Sequence, residues 1–313
     1  MLRLYDGQKI PVIGMGTLNI IGKAKIPHFK EAIDIGYRMF DTAHIYHNET
    51  NLGTAIRESI AEGKVSREDL YIVSKLGPQF HQPDLVEKGC RISLERLGLD
   101  YIDLYLLNSP VAFVHQSDQY TFPPTPQQNR PEFDDELTPT RTWRALEMCK
   151  RKGLARALGV SNFNEEQLCE ILDDCEVKPA VNQVECSVGF RQDKLRKFCT
   201  DNGILVMAHS PLGNPRSCPP ECTPFLRSPV LTSVASICRR TTAQVAIRYL
   251  MEKGTIPIPK STNRFRMAEN LNVFDFDIAE IDMNSLDENI EQRRTASLNW
   301  MRGSVNCPFE LNC

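Results

Sequence analysis

Most of the chemistry available to this chain sits in polar residues that end apolar runs. Phe40-Asp41-Thr42-Ala43 is followed by Tyr46, and Ser74-Lys75, Asn108, Ser161-Asn162, Asn182-Gln183-Val184-Glu185, His209-Ser210 and Lys260-Ser261 end other runs. A polar group buried without a partner costs several kcal/mol, so such residues must be paired or used. Taken singly, each has a plain structural reading: Asp41 as a helix cap, Lys75 as a solvated strand end. Taken together, Asp41, Tyr46 and Lys75 suggest proton transfer. An ammonium beside a phenol stabilises the phenolate and is expected to lower the tyrosine pKa from about 10. An aspartate beside the lysine keeps it charged and oriented. The expected product is a Tyr46 hydroxyl able to give up a proton near neutral pH, as protonation of an alkoxide formed by hydride attack on a carbonyl requires.

Those residues must converge to act, and the alternation of elements predicts how. The apolar runs are VIGMGT, RMFDTA, LYIVSK, IDLYLLN, ARALGVSN, PAVNQVE, ILVMAHS and TIPIPKS. They are short and lack strict alternation, as suits parallel strands buried on both faces. Amphipathic stretches follow over 28–36, 48–62, 84–97, 139–152, 164–175, 193–202, 242–252 and 264–273. Strands alternating with helices indicate right-handed βα units, and this number of them predicts closure. The expected fold is α/β, a (β/α)8 TIM barrel over 1–313 as a single domain. LRLY, Asp6-Gly7 and QKIPVIG predict an N-terminal β-hairpin ahead of it. An open doubly wound sheet would want GxGxxG after its first strand; here Gly14-Met15-Gly16-Thr17-Leu18-Asn19 has no third glycine and follows a hairpin. The long loops 111–137 and 212–229 and the tail 288–313 are expected over the C-terminal face of the barrel, as walls of a substrate pocket.

The composition excludes other classes. A net charge of -3 over 313 residues leaves no basic footprint for nucleic acid. No apolar run approaches the roughly 20 residues of a membrane span. The opening MLRLYDGQKI lacks the basic start and apolar core of a signal peptide. The 11 cysteines include no CxxC pair and read as reduced thiols used as small hydrophobes. Cys218 and Cys222 lie close in sequence, without the second ligand pair zinc needs. A cytosolic monomer acting on a small molecule, with no bound metal, is the expectation.

The motifs GYRMFDTAHIYHNE, IVSKL, LGVSNF, HSPLG and IPIPKSTNRFRMAEN, in this order and ending in CPFELN, resemble those of the aldo-keto reductase superfamily, in particular aldose and aldehyde reductases. Insect ketone or ecdysteroid reductases are a further likeness. The resemblance implies NADPH-dependent reduction of an aldehyde or ketone, with Asp41, Tyr46 and Lys75 in the catalytic tetrad and Asn108 at its fourth position. It implies that Ser161, Asn162 and Gln183 bond the nicotinamide carboxamide, that Thr17 lies near the cofactor, that His209 stacks on the ring, and that Ser210 and Leu212 line the pyrophosphate. It places Lys260, Ser261, Thr262 and Arg266 at the adenosine 2′-phosphate, with Glu269 and Asn270 at the adenine and ribose. Lys260 and Arg266 at a helix start also suit a phosphate on physical grounds, which favours NADP(H).

The chain departs from the family pattern at three places. Asn108-Ser109-Pro110 stands where a His-Trp-Pro pattern is usual, His209 where tyrosine is usual, and Leu18 where tryptophan is usual. Smaller groups imply a roomier pocket, lined by Leu18, Phe113, Tyr120, Trp300 and Phe309, and open to bulky, steroid-like ketones. An alternative follows from Asn108: an NADPH-binding member with weak or no turnover. Reduction of a conjugated carbon–carbon double bond is disfavoured, because an amide is a poor mimic of the protonated acid that chemistry uses.

Overall fold

The structure, a computed structural model, describes residues 1–118, 132–214, 224–296 and 298–309. The chain opens with a hairpin, β1 (Leu2–Arg3) and β2 (Lys9–Ile10), paired antiparallel. Its turn is closed by Gly7, which takes a φ of 85° that glycine adopts without strain. Strands and helices then follow in order: β3 (Met15–Gly16), α1 (Ile26–Ile35), β4 (Met39–Asp41), α2 (Glu49–Ala61), β5 (Tyr71–Leu76), α3 (Pro83–Leu97), β6 (Ile102–Leu107), α4 (Pro139–Arg151), β7 (Ala155–Ser161), α5 (Glu165–Asp174), β8 (Val181–Glu185), α6 (Asp193–Asp201), β9 (Leu205–His209), α7 (Pro229–Cys238), α8 (Thr242–Glu252), β10 (Ile256–Pro257), α9 (Arg264–Leu271) and α10 (Glu280–Asn289). Strands β3 to β10 belong to one sheet, ordered as they are in the chain. β4–β5, β5–β6, β6–β7 and β9–β10 pair in parallel.

Contacts group the chain into two compact units. One comprises 17–30, 39–182 and 298–313. Its strand β6 is buried at every position, as expected of a strand covered on both faces. Its helices carry clear boundary signals: a capping box between Asn164 and Gln167 at α5, and prolines at the starts of α3 and α4. The other comprises 1–16, 31–38 and 183–297, with a core of Val188, Leu231, Val234, Val245, Tyr249, Leu250 and Leu286 among others. There Gly16 runs close to β10; a Cβ on it would lie 2.8 Å from the Ile258 carbonyl oxygen.

The expected strands and helices are present with boundaries shifted by a few residues. Two helices are additional. α7, PVLTSVASIC, buries Leu231, Val234 and Ala235 and exposes Thr232, Ser233 and Ser236; small hydroxyls with no charge give its outer face little contrast in the sequence. α10 buries only Leu286, and the tail expected from 288 begins inside its last turn. The expected loop 111–137 is not wholly irregular: its arms meet in a bridge between Phe113 and Phe133, and Val114 N–H donates to the Glu132 carbonyl at 2.9 Å. Tyr120, Cys218 and Cys222 lie outside the described residues. Among the described residues no helix is long and apolar enough to cross a membrane, no cluster of His, Cys, Asp and Glu could hold a metal ion, and the cysteines are unpaired.

Candidate active site

In the first unit, β4 and β5 bring Asp41 and Lys75 side by side, both almost fully buried. The Lys75 ammonium donates to Asp41 Oδ1 at 2.7 Å and Oδ2 at 2.8 Å, to the Thr42 carbonyl at 2.9 Å and to Tyr46 Oη at 3.3 Å. An ammonium has three protons, and a carboxylate, a carbonyl and a phenol take them all. Every acceptor lies between residues 41 and 46. Tyr46 ends a 3-10 turn, His44–Tyr46, and His47 follows in the left-handed region at φ 52°.

Burial disfavours the Lys75 charge, but Asp41 and Tyr46 more than offset it and hold its pKa above 10.5. Tyr46 departs from the expectation of a lowered pKa. Burial raises the phenol above 10, and the Asp41 charge adds to it; Lys75 offsets this only in part. Tyr46 is thus a protonated hydroxyl poised to donate, rather than a phenol near ionisation.

A buried network holds this turn. Thr42 Oγ1 donates to Asn48 Oδ1 at 2.6 Å, Asn48 Nδ2 donates to the Thr17 carbonyl at 2.8 Å, and Thr17 Oγ1 donates to the Asp41 carbonyl at 2.8 Å. Asn48 stands where a cap of α2 would stand, yet its side chain makes no cap bond; it ties the ends of β3 and β4 instead. Sequence reasoning passed over Thr42 and Asn48. A backbone carbonyl leaves no trace in a sequence, and an asparagine ahead of a helix reads as a cap. Behind the turn, Glu49 Oε1 accepts from Ser74 Oγ at 2.7 Å, and Arg96 Nη1 lies 3.5 Å from Glu49 Oε2 and 3.3 Å from His44 Nδ1. Burial, reinforced by Arg96, pushes the His44 pKa down to about 3, so His44 is neutral.

Asn108 follows β6 and is buried; its carbonyl accepts from Asn162 Nδ2 at 3.2 Å. Its side-chain amide makes no hydrogen bond among the described residues. Asn162 takes a φ of 64°, which asparagine tolerates, and also donates to Ser161 Oγ at 3.2 Å. Leu18 is exposed, whereas Phe113 is buried in an apolar cluster with Val111 and Met301, against which Trp300 and Phe309 pack. The rings of Phe113 and Trp300 meet edge-on at 5.7 Å.

The second unit holds the remaining expected residues. Gln183 is buried on β8, and its Nε2 contacts Met207 Sδ at 3.0 Å. His209 and Ser210 are half-buried, with Nδ1 and Oγ 3.2 Å apart; Leu212 is half-buried. Lys260, Thr262 and Arg266 are exposed and Ser261 half-buried around the start of α9. Asn263 caps that helix, accepting from the Arg266 N–H at 3.0 Å, and Ser261 Oγ accepts from the Asn263 N–H at 3.1 Å. Arg264 is engaged with Glu31 at 3.2 Å. Arg266, by contrast, forms no ion pair among the described residues. Glu269 accepts a hydrogen bond from Thr241 Oγ1, and Asn270 is buried. Cationic side chains beside a capped helix start are a donor set that fits a phosphate.

The aldo/keto reductase family model matches residues 13–291. The chain is 42% identical over 295 residues to aldo-keto reductase family 1 member D1 of Mus musculus, covering 91% of this chain and 89% of that protein. It is 41% identical over 294 residues to dihydrodiol dehydrogenase 3 of Bos taurus, covering 91% and 90%. The aldose reductase of Schistosoma japonicum superposes with a TM-score of 0.90 at 35% identity, covering 100% of this chain and 99% of that one. A Bombyx mori aldo-keto reductase solved in complex with NADP superposes with a TM-score of 0.89 at 33% identity, covering 98% of each. The fold is α/β, a (β/α)8 barrel. The protein is an NADP(H)-dependent oxidoreductase acting on carbonyl groups, and the chain belongs to the aldo/keto reductase family.

Proposed function

We propose that Tyr46 is the general acid of this reduction, and that Lys75 and Asp41 support it. The contact of Lys75 with Tyr46 at 3.3 Å, backed by the Asp41 carboxylate, carries the reading. Bound NADPH supplies a hydride to the carbonyl carbon. Tyr46 gives its proton to the developing alkoxide, and Lys75 stabilises the phenolate that remains. Asp41 fixes the ammonium so that no reorganisation is needed as charge develops. Asn108 offers its amide N–H to the substrate oxygen and, unlike an imidazole, cannot become cationic. Ser161, Asn162, Gln183 and His209 hold the nicotinamide, Thr17, Ser210 and Leu212 the stretch beyond it, and Lys260, Ser261, Thr262 and Arg266 the 2′-phosphate, with Glu269 and Asn270 at the adenosine.

Leu18, Phe113, Trp300 and Phe309 serve the substrate, and the small residues at 18, 108 and 109 favour bulky ketones, steroid-like ones included. The protein is read as a monomer acting on a small molecule. Unpaired thiols are consistent with a reducing compartment, the cytosol. A second reading, cofactor binding with little turnover, rests on the short reach of Asn108. Purified protein with NADPH and a panel of aldehydes and ketones separates the two. Tyr46→Phe is expected to lower kcat by roughly 10²-fold or more with cofactor binding kept; full activity in that variant would remove Tyr46 from its role.

A further inference from the structure

Glu185 ends β8 with no solvent exposure. Oε1 accepts from the Thr295 N–H and from Thr295 Oγ1, each at 2.6 Å, and Oε2 accepts from the Ala296 N–H at 3.0 Å. The segment that donates, 291–296, has no regular structure of its own. It lies along 188–191 through further bonds: Arg293 N–H to the Gly189 carbonyl at 2.7 Å, Gln292 Nε2 to the Val188 carbonyl at 3.0 Å, and Arg191 N–H to Gln292 Oε1 at 2.7 Å. Arg294 sits 4.7 Å over the Phe190 ring. A strap without its own ladder is held by its contacts alone. Those to Glu185 are charge-assisted and buried, the strong kind. The stretch that carries Trp300 and Phe309 follows in the chain.

We propose that Glu185 is a positioning residue for substrate selection: its carboxylate latches the strap and so fixes where the segment bearing Trp300 and Phe309 begins. The role rests on the reading that those two rings line the substrate site. Glutamine is the discriminating substitution, because its amide nitrogen meets an N–H where a carboxylate oxygen accepted one. The test compares wild type with Glu185→Gln, and with Thr295→Val, which leaves the carboxylate its two backbone donors. Steady-state constants are measured for a short aliphatic aldehyde and a fused-ring ketone, with NADPH affinity by fluorescence. Acrylamide quenching of tryptophan emission and tryptic cleavage after Arg293 and Arg294 read the strap without turnover. Trp143 is buried, so a quenching change reports Trp300. Glu185→Gln is expected to raise KM for the ketone about tenfold, a loss of the size a buried charge-assisted bond carries, with the aldehyde and NADPH within about twofold. Quenching and cleavage rise, and Thr295→Val moves the same way by less. If wild type turns over both substrates and Glu185→Gln changes both equally, or neither, the positioning role is overturned alone. If wild type turns over neither, the site reading fails and this role falls with it.

Discussion

Replacing Lys75 by methionine separates the two things that residue does. Methionine fills similar space, but Asp41, 2% exposed, is left as an uncompensated charge beside it. Breaking one partner of a buried pair costs about 3–5 kcal/mol. For a chain of this size that corresponds to a fall in Tm of about 6–10 °C, at roughly 2 °C per kcal/mol. Adding Asp41→Asn removes the orphan charge, and the double variant should recover about half or more of the lost Tm. Activity should not follow. Tyr46 loses the cation that steadies its phenolate in both variants, so kcat should stay down by about 10²-fold or more. Thermal scans by circular dichroism and NADPH oxidation at 340 nm read the two effects. A double variant no more stable than Lys75→Met would refute the account of the pair, and a Lys75→Met enzyme within about threefold of wild type would refute its role in proton transfer.

Three further outcomes follow from the site and its surroundings. Tyr46 is held above 10 and Asn108 does not titrate, so kcat for reduction should be flat from about pH 6 to 9 and fall only as Tyr46 loses its proton; a pH–rate profile with an acid in the neutral range would contradict this. His44 and His81 are buried with pKa values pushed by desolvation from 6.5 to about 3. Their folded values are depressed, so the unfolded chain binds more protons and stability is lost as pH falls from about 6.5 towards 3, by up to about 1.4 kcal/mol per pH unit for each. Urea melts of His81→Gln should show a shallower acid slope. Arg266→Ala should raise KM for NADPH by about tenfold or more and leave that for NADH within about twofold, since only the former carries the 2′-phosphate; equal changes would move the phosphate elsewhere.

The parts of this molecule legible in its sequence share a physical cause: repeated local signals. The short apolar runs ending in Asp41, Lys75 and Asn108, and the capped amphipathic stretches between them, announce βα units one at a time. α7 and α10 were silent, because one carries no charge on its outer face and the other is hardly buried. At the site, residue types were readable and partners were not. Asp41, Tyr46 and Lys75 could be grouped by chemistry, but the pKa of Tyr46 depends on how fully Asp41 neutralises Lys75 and on how little water reaches the phenol. The diversion of Asn48 from helix cap to strand tie, and the latch between Glu185 and a segment 110 positions later, are long-range facts with no local signature.

Among the described residues, all the hydrogen bonds of the Lys75 ammonium run to the six residues from Asp41 to Tyr46. The proton-donating apparatus is therefore local, fixed by two adjacent strands, one turn and the ties of Thr17 and Asn48 that hold the turn. Asn108, Phe113, Trp300 and Phe309 come from elsewhere in the chain and contribute nothing to that fixation. Such an enzyme can exchange the molecules it accepts by altering those outlying positions, while inheriting its acid unchanged. Modular inheritance of this kind offers an engineer the same route: recast the outlying positions and leave Thr17, residues 41–46, Asn48 and Lys75 alone.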